Sequence, residues 1–410
     1  MPGSMMQPDL GQIGALQGAR AAAMARWQSN GWPDHRAEAW RFTRLSAIDK
    51  MELRPAGDAG AMVVSRPTSL PANAVVLTFH NGMVDTTGLD ALPAGVTAST
   101  MDGNEAALDD LAGLVPVGHP VSNLSLAAMT GGLCLDIAGD IAAPMILLFG
   151  GDDNAVSTHP VVLVKLASGA KAVVAEWHQA AVGLSAPLVA IDLAASAALD
   201  YAKVQLDSHS TTHVAATGLR LGAGARFDGF QLSVGGKLAR LETHVTLTGE
   251  DADCTLSAIY LGRNSQHHDI TSNMAHNKGH CHSSQIIRGV LDDSAHGVFQ
   301  GKVYVAPDAQ KTDGNQMSRA LLLSRKAEAN TKPELEIYAD DVLCAHGATV
   351  GELDETQLFY LTSRGIRPET ARAMLIDAFL QDAIDGIGNA DLAAMLRPVV
   401  DQWMTAGGNR

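Results

Sequence analysis

Two short stretches of this chain bring soft metal ligands close together. In Cys344-Ala345-His346 a thiol and an imidazole lie two residues apart, so on an extended strand both project to one side. Such a pair can hold iron or relay sulfur, but it supplies too few ligands for a cluster. Any metal there needs groups from another chain. The plainer alternative is a packed thiol beside a histidine at a strand end. The second stretch is rich in histidine: His267, His268, His276, His280, His282 and His296, with Cys281 among them. On a continuous strand His276, His280 and His282 share one face and Cys281 points away. No cysteine pair or nearby carboxylate completes a shell there, which favours imidazoles that meet solvent or backbone.

Signatures of self-contained catalysis are absent. Gly235-Gly236-Lys237 runs into Leu238 and lacks the upstream glycine of a phosphate loop. Gly222-Ala223-Gly224 has no third glycine at the dinucleotide spacing, and neither HExxH nor GxSxG occurs. Asp292, Asp293 and Asp308 keep an enzymatic alternative open, an extracellular-type β-helix acting on polysaccharide. A histidine-rich metal-binding protein is a further alternative.

The elements that must position these residues come from 410 residues, long for a single core. Aromatic residues make up only 4%, which suits narrow, regular layers better than a large aromatic core. The net charge of −15 repels phosphate backbones and argues against a nucleic-acid partner. Four scattered cysteines are too few for a disulfide framework, which points to a reducing, cytoplasmic compartment. No signal peptide and no membrane span is expected. Met1-Pro2-Gly3-Ser4 reads as a cloning scar.

Helix is expected over residues 12–27, ended by Gly31-Trp32-Pro33, and again within 105–114. A strand at 74–77 runs into a turn at Asn81-Gly82. After about Pro144 short strands recur, punctuated by glycine, with no helical segment between them. That texture means a sandwich, a barrel or a β-helix, and no fixed period separates the three. After Gly351 helices return. Asp354 with Gln357 forms a capping box, Pro368 opens a second helix, and Asn389 caps a third that runs through Trp403. Met374, Leu375, Ala378 and Phe379 share an apolar face on the second. The division is therefore a helical and mixed segment at 1–125, a β core at 126–350 and a helical domain at 351–410.

The run Leu335 to Gly351, with HGATVG at its end, and the following Phe359-Tyr360-Leu361-Thr362-Ser363-Arg364-Gly365-Ile366 resemble the SufB/SufD family of iron–sulfur cluster assembly scaffolds. Gly297-Val298-Phe299-Gln300-Gly301-Lys302-Val303 and the N-terminal Glu38-Ala39-Trp40-Arg41-Phe42-Thr43 are similar to further family elements. Cys344 and His346 match the pattern on the SufD side of the family. The resemblance implies a mainly β fold, a right-handed parallel β-helix flanked by helical segments. It implies a non-catalytic scaffold of the SUF system that pairs with a SufB-like scaffold and docks a SufC-like ATPase through its C-terminal helices. Cys344 and His346 would then lie at the partner interface and share a nascent, transiently held iron–sulfur cluster, with no tightly bound cofactor. A homodimer is implied as an option where the partner is missing. The Gly-His-Cys-His at 279–282 departs from the small hydroxyl residues usual in the family, so the resemblance gives Cys281 no role.

Overall fold

The computed structural model describes residues 17–33, 36–45, 48, 51, 53–56, 64–152 and 155–407. The Met1–Ser4 leader and the first part of the expected N-terminal helix lie outside these. From Gly131 onward the longer strands fall alternately into two parallel sheets, and the short strands Val156–Thr158 and Leu184–Ser185 add to the first. The first sheet runs in chain order through Gly131–Ile137, Pro160–Leu166, Leu188–Leu193, Thr212–Leu221, Leu238–Leu247, His267–His276, His296–Val305 and Glu328–Ile337. The second runs through Met145–Gly150, Lys171–His178, Ala198–Gln205, Arg226–Ser233, Asp253–Gly262, His282–Leu291, Asp313–Leu322 and Leu343–Gly351. Each turn of chain adds one strand to each sheet, giving eight coils of a parallel β-helix. The repeat drifts. Leu238 pairs with His267 and His267 with His296, 29 residues each, whereas Thr212 pairs with Leu238 after 26 and His296 with Glu328 after 32. That drift is why no period stands out in the sequence.

The sheets extend upstream of the expected boundary at 126. Val75–His80 pairs parallel with Met145–Gly150, and Val96–Thr100 pairs antiparallel with Gly131–Ile137. The turn at Asn81-Gly82 is as expected: both residues have positive φ and join Val75–His80 to Met83–Val84.

Strands buried on both faces lose the apolar–polar alternation, as Met145–Gly150 shows with every residue buried. The inward faces fill the lumen with Leu135, Leu147, Ile191, Tyr201, Phe227, Leu256 and Val303. The outer face of the first sheet is covered by helices α1 (Gly18–Asn30), α2 (Glu105–Leu114) and α3 (Pro120–Ala127), whose Ala23, Leu108, Leu111 and Val121 pack on Leu163, Leu188 and Val214. The outer face of the second sheet is covered by α5 (Pro368–Ile384) and α6 (Ala390–Gly407), with α4 (Glu355–Ser363) preceding them. Ile376, Leu380, Met395, Leu396 and Trp403 close over Trp177, Leu232 and Ile259. Each fully buried large apolar side chain on that face is worth about 1.5–3 kcal/mol, so the C-terminal helices are part of the core. The caps read from sequence are in place: Asp354 accepts from the N–H groups of Thr356 and Gln357, and Asn389 from those of Asp391 and Leu392.

One corner of the coil repeats a left-handed backbone position. Ser196, Gly224, Asp251, His280 and Lys311 all have φ between 57° and 62°. Each donates its N–H to the next coil, as His280 does to the Gln310 carbonyl at 2.9 Å. Left-handed backbone is costly for a side chain with a Cβ and easy for glycine. His280→Gly should therefore keep the fold and lose no stability, with a gain of up to about 1 kcal/mol. Differential scanning calorimetry checks this; a Tm several degrees lower would mean that the imidazole makes an interaction the corner geometry does not explain.

Candidate functional site

Cys344 and His346 stand on Leu343–Gly351, the last strand of the second sheet. The inner edge of this strand pairs with the preceding coil, Gly314 against Cys344 and Gln316 against His346. The column below Cys344 runs through Gly314, Ser283 and Cys254 to Phe227. Phe227 and Cys254 belong to the lumen core, so Cys344 and His346 are on the lumen side of their strand. The expectation that both project to one side holds. Among the described residues no further coil covers them: Cys344 is half-buried against the core and His346 is exposed. Burial raises the Cys344 thiol above its ordinary range; a backbone hydrogen bond from Gly314 opposes the shift and the Asp313 charge adds to it.

The lumen beneath His346 is polar. Gln316 lies directly below it in register and Gln285 below that. Ser272 donates to the Gln285 Oε1 at 2.5 Å. Both amide atoms of Gln316 and the Nε2 of Gln285 are buried without a hydrogen-bond partner among the described residues. Gly301 gives the Gln316 amide its room, since a Cβ there would come within 2.1 Å of Nε2.

The two end strands differ in character. Glu328–Ile337, at the end of the first sheet, carries Pro333 and the charges of Lys332, Glu334 and Glu336, features that discourage pairing with another strand. Leu343–Gly351 has neither proline nor charge, and Leu343 is 74% exposed. Residues 335–342 straddle the corner between these strands. Tyr338 is 61% exposed on that corner.

The histidine-rich stretch is not one strand, because a corner interrupts it between His276 and His282. Its side chains separate accordingly. His267 and His268 bond to Thr43 at 2.9 Å and Ser233 at 2.8 Å. His276 bonds to Ser283 at 2.8 Å. Burial pushes His267 and His276 down to about 4 and His268 to about 3, so all three are neutral at pH 7. Cys281 is buried in the lumen core, its thiol directed to the carbonyls of Gly249 and Gly279. His280 occupies the corner, and His282 lies half-exposed 3.4 Å from Asp253. Among the described residues, none of these histidines, nor Cys281, joins two further His, Cys, Asp or Glu ligand atoms within 4.8 Å.

Asp292 and Asp293 sit at one end of strand His296–Val305 and Asp308 just beyond the other. Ten residues of strand are roughly 33 Å, far beyond the spacing at which two carboxylates flank a glycosidic bond. Sequence reading missed the role of the N-terminal element. Glu38 pairs with Lys332 at 2.8 Å, and the Ala39 carbonyl accepts from Gln300 at 3.1 Å. Trp40 stacks on Arg240 at 3.9 Å, and Thr43 donates to Asp269. The element clamps four successive strands of the first sheet.

On α5 the core-facing residues are Ala371, Ile376, Leu380, Ala383 and Ile384. Met374 and Ala378, from the face read as apolar in the sequence, are exposed, while Leu375 and Phe379 are half-buried. On α4 no residue is buried, and Phe359 is 72% exposed.

Fold and tip define a parallel β-helix covered on both outer faces by helices and left open at its C-terminal coil. The family model described as "SUF system FeS cluster assembly, SufBD core domain" matches residues 149–379, and the chain belongs to the SufBD family. An iron–sulfur cluster assembly SufBD family protein of Synechocystis is 32% identical over 393 residues, covering 90% of this chain and 86% of the relative. The iron–sulfur cluster assembly protein SufD of Escherichia coli is 30% identical over 389 residues, covering 92% and 90%. SufD of Bacillus subtilis is 33% identical over 162 residues, 39% and 37% of the two chains.

All four cysteines are free, and Cys134, Cys254 and Cys281 are buried. Native chain should therefore take up one alkylating group per molecule, at Cys344. With that thiol raised, the rate at pH 7.5 should fall below that of an unstructured cysteine peptide and climb as pH increases. Asp313→Asn, by removing a charge that opposes the thiolate, should speed it. Mass spectrometry of timed samples reads both effects; faster labelling than the peptide at pH 7.5 would refute the raised thiol.

Proposed function

We propose that this chain is a non-enzymatic scaffold of the SUF iron–sulfur cluster assembly system, and that the open eighth coil is where a nascent cluster is shared with a second scaffold. The observation that carries this reading is the placement of Cys344 and His346. They sit on the lumen side of an uncovered end strand, beside a free edge without charge or proline. An unpaired strand edge of that kind is a template for another strand. The relatives, iron–sulfur cluster assembly proteins, supply the cargo. The second chain is a SufB-like scaffold, and without it the same edge can pair with another copy of this chain. The cluster is cargo, held in passing by His346, by Cys344 and by ligands from the partner. The lumen below the imidazole is polar at Gln316, whose amide atoms are without a hydrogen-bond partner among the described residues.

His346→Ala should leave folding and complex formation intact while reducing cluster formation several-fold. The assembled complex is purified, iron and acid-labile sulfide are measured per complex, and gel filtration checks assembly. Cys344→Ser should be as severe if the thiol is a ligand and milder if it only packs. Full cluster content in the His346→Ala complex would refute the shared site.

The ATPase partner is proposed to dock on the exposed helical surface, Phe359 and Tyr360 of α4 with Met374 of α5. Removing everything after Gly351 would uncover Trp177, Leu232 and Ile259 and so confuse docking with folding. The double variant Phe359→Asp, Met374→Asp changes exposed positions only. It should weaken co-purification of the ATPase at least tenfold and leave Tm within a few degrees; unchanged co-purification would place the contact elsewhere.

A further inference from the structure

A second donor set lies on the outer face of the first sheet, remote from the open coil. His119 stands at the N-terminus of α3, with Nδ1 3.1 Å from the Ser122 hydroxyl and 3.3 Å from the Ser122 N–H. Its Nε2 lies 3.1 Å from one carboxylate oxygen of Glu242. His244 is two residues along the same strand as Glu242, and its Nε2 lies 2.9 Å from the other oxygen. The two rings meet edge to face at 5.3 Å. One donor atom from each residue falls within 4.8 Å of the others. His119 and Glu242 are buried, whereas the His244 side chain is 20% exposed and lines a groove of about 400 Å³ beside Val115 and Pro116.

The charges around this set do not balance. Arg240 donates to Glu242 at 2.7 and 2.9 Å and to Asp269 at 2.5 Å, while Trp40 covers its guanidinium. His267, near Asp269, is held neutral by burial. Lys302, which lines the groove, is engaged by Glu336 at 2.7 Å. One buried guanidinium thus faces two buried carboxylates. With neutral imidazoles the cluster keeps one excess negative charge, which low-dielectric surroundings make expensive unless a cation or proton balances it.

We propose that His119, Glu242 and His244 form a binding site for a divalent cation of the zinc–iron(II) class. Two imidazole nitrogens and one carboxylate, with the remaining positions toward a groove, are the donor set those ions take. The ion takes the place between the two Nε2 atoms and Glu242, where His244 Nε2 is hydrogen-bonded to the carboxylate and the buried His119 Nε2 has no hydrogen-bond partner among the described residues. Each imidazole then keeps its one proton on Nδ1, so no proton need leave the site; at His119 that proton turns to the Ser122 hydroxyl at 3.1 Å, and the bond that Nδ1 accepts from the Ser122 N–H at 3.3 Å is given up. A second hydrogen bond of that kind orients a ligating imidazole.

The test uses the full chain carrying Cys344→Ser and His346→Ala, so that the open coil supplies no competing ligands and its role does not affect the result. Cobalt(II) is titrated at pH 7.5 under anaerobic conditions while the visible d–d band is followed, with zinc as competitor. One cobalt per chain is expected, displaced by zinc. His244→Ala should weaken binding at least a hundredfold. His119→Asn, which preserves a helix-capping side chain, should do the same. Circular dichroism and Tm report folding of each variant. Absence of a saturable band would overturn the site, as would a band that survives either substitution in a folded chain.

Discussion

Every coil of a parallel β-helix satisfies its backbone N–H and C=O groups through the coil before and the coil after. The rest of this structure follows from that ladder. Register is fixed residue by residue, so side chains stack in columns, and a column that begins as Phe227 and Cys254 ends as Cys344. The same ladder has to stop. At its N-terminal end the stop is built in, with antiparallel strands Met83–Val84 and Val96–Thr100 laid along the first coils. At the C-terminal end no described strand follows, and the last coil keeps its free edges, its apolar Leu343 and its two candidate ligands together.

Columns that carry lumen residues upward also decide what each sheet can do outside. The second sheet turns apolar side chains outward, and α5 and α6 cover them. The first sheet turns Arg240, Glu242 and Asp269 outward in its middle coils, and these cannot be covered by apolar helices without a large desolvation cost. Trp40, Thr43 and His119 resolve this by approaching as an aromatic face, a hydroxyl and an imidazole. The N-terminal element is thus a polar clamp, with a stacking and hydrogen-bonding vocabulary where the C-terminal cover is hydrophobic.

Much of this was legible in the sequence, for identifiable reasons. Helix starts marked by Asp354, Pro368 and Asn389 rest on local hydrogen bonds and backbone preference, and they stand where expected. The Asn81-Gly82 turn rests on the same kind of local rule. Strand content was visible, but its division into two sheets was not, because buried parallel strands lack alternation and the repeat drifts between 26 and 32 residues. The shared side of Cys344 and His346 needed only the two-residue period of a strand. The histidine-rich stretch failed that argument, since a corner with His280 in left-handed backbone intervenes. His119 and Glu242, 123 positions apart, could not be paired without the fold.

The thiol at the tip sets a condition on any cluster chemistry there. Cys344 lies partly in the lumen core, and burial together with Asp313 disfavours its thiolate. A protein chain docked over the coil would remove more water and disfavour the thiolate further. Docking alone therefore makes Cys344 a poorer ligand, and a positive charge has to arrive with it or after it. A metal ion is such a charge, since coordination removes the thiol proton outright. His346 stands differently: it is exposed, and a neutral imidazole binds iron without first losing a proton. On the proposed reading, the imidazole would engage iron first and the thiolate would form only once the metal is present.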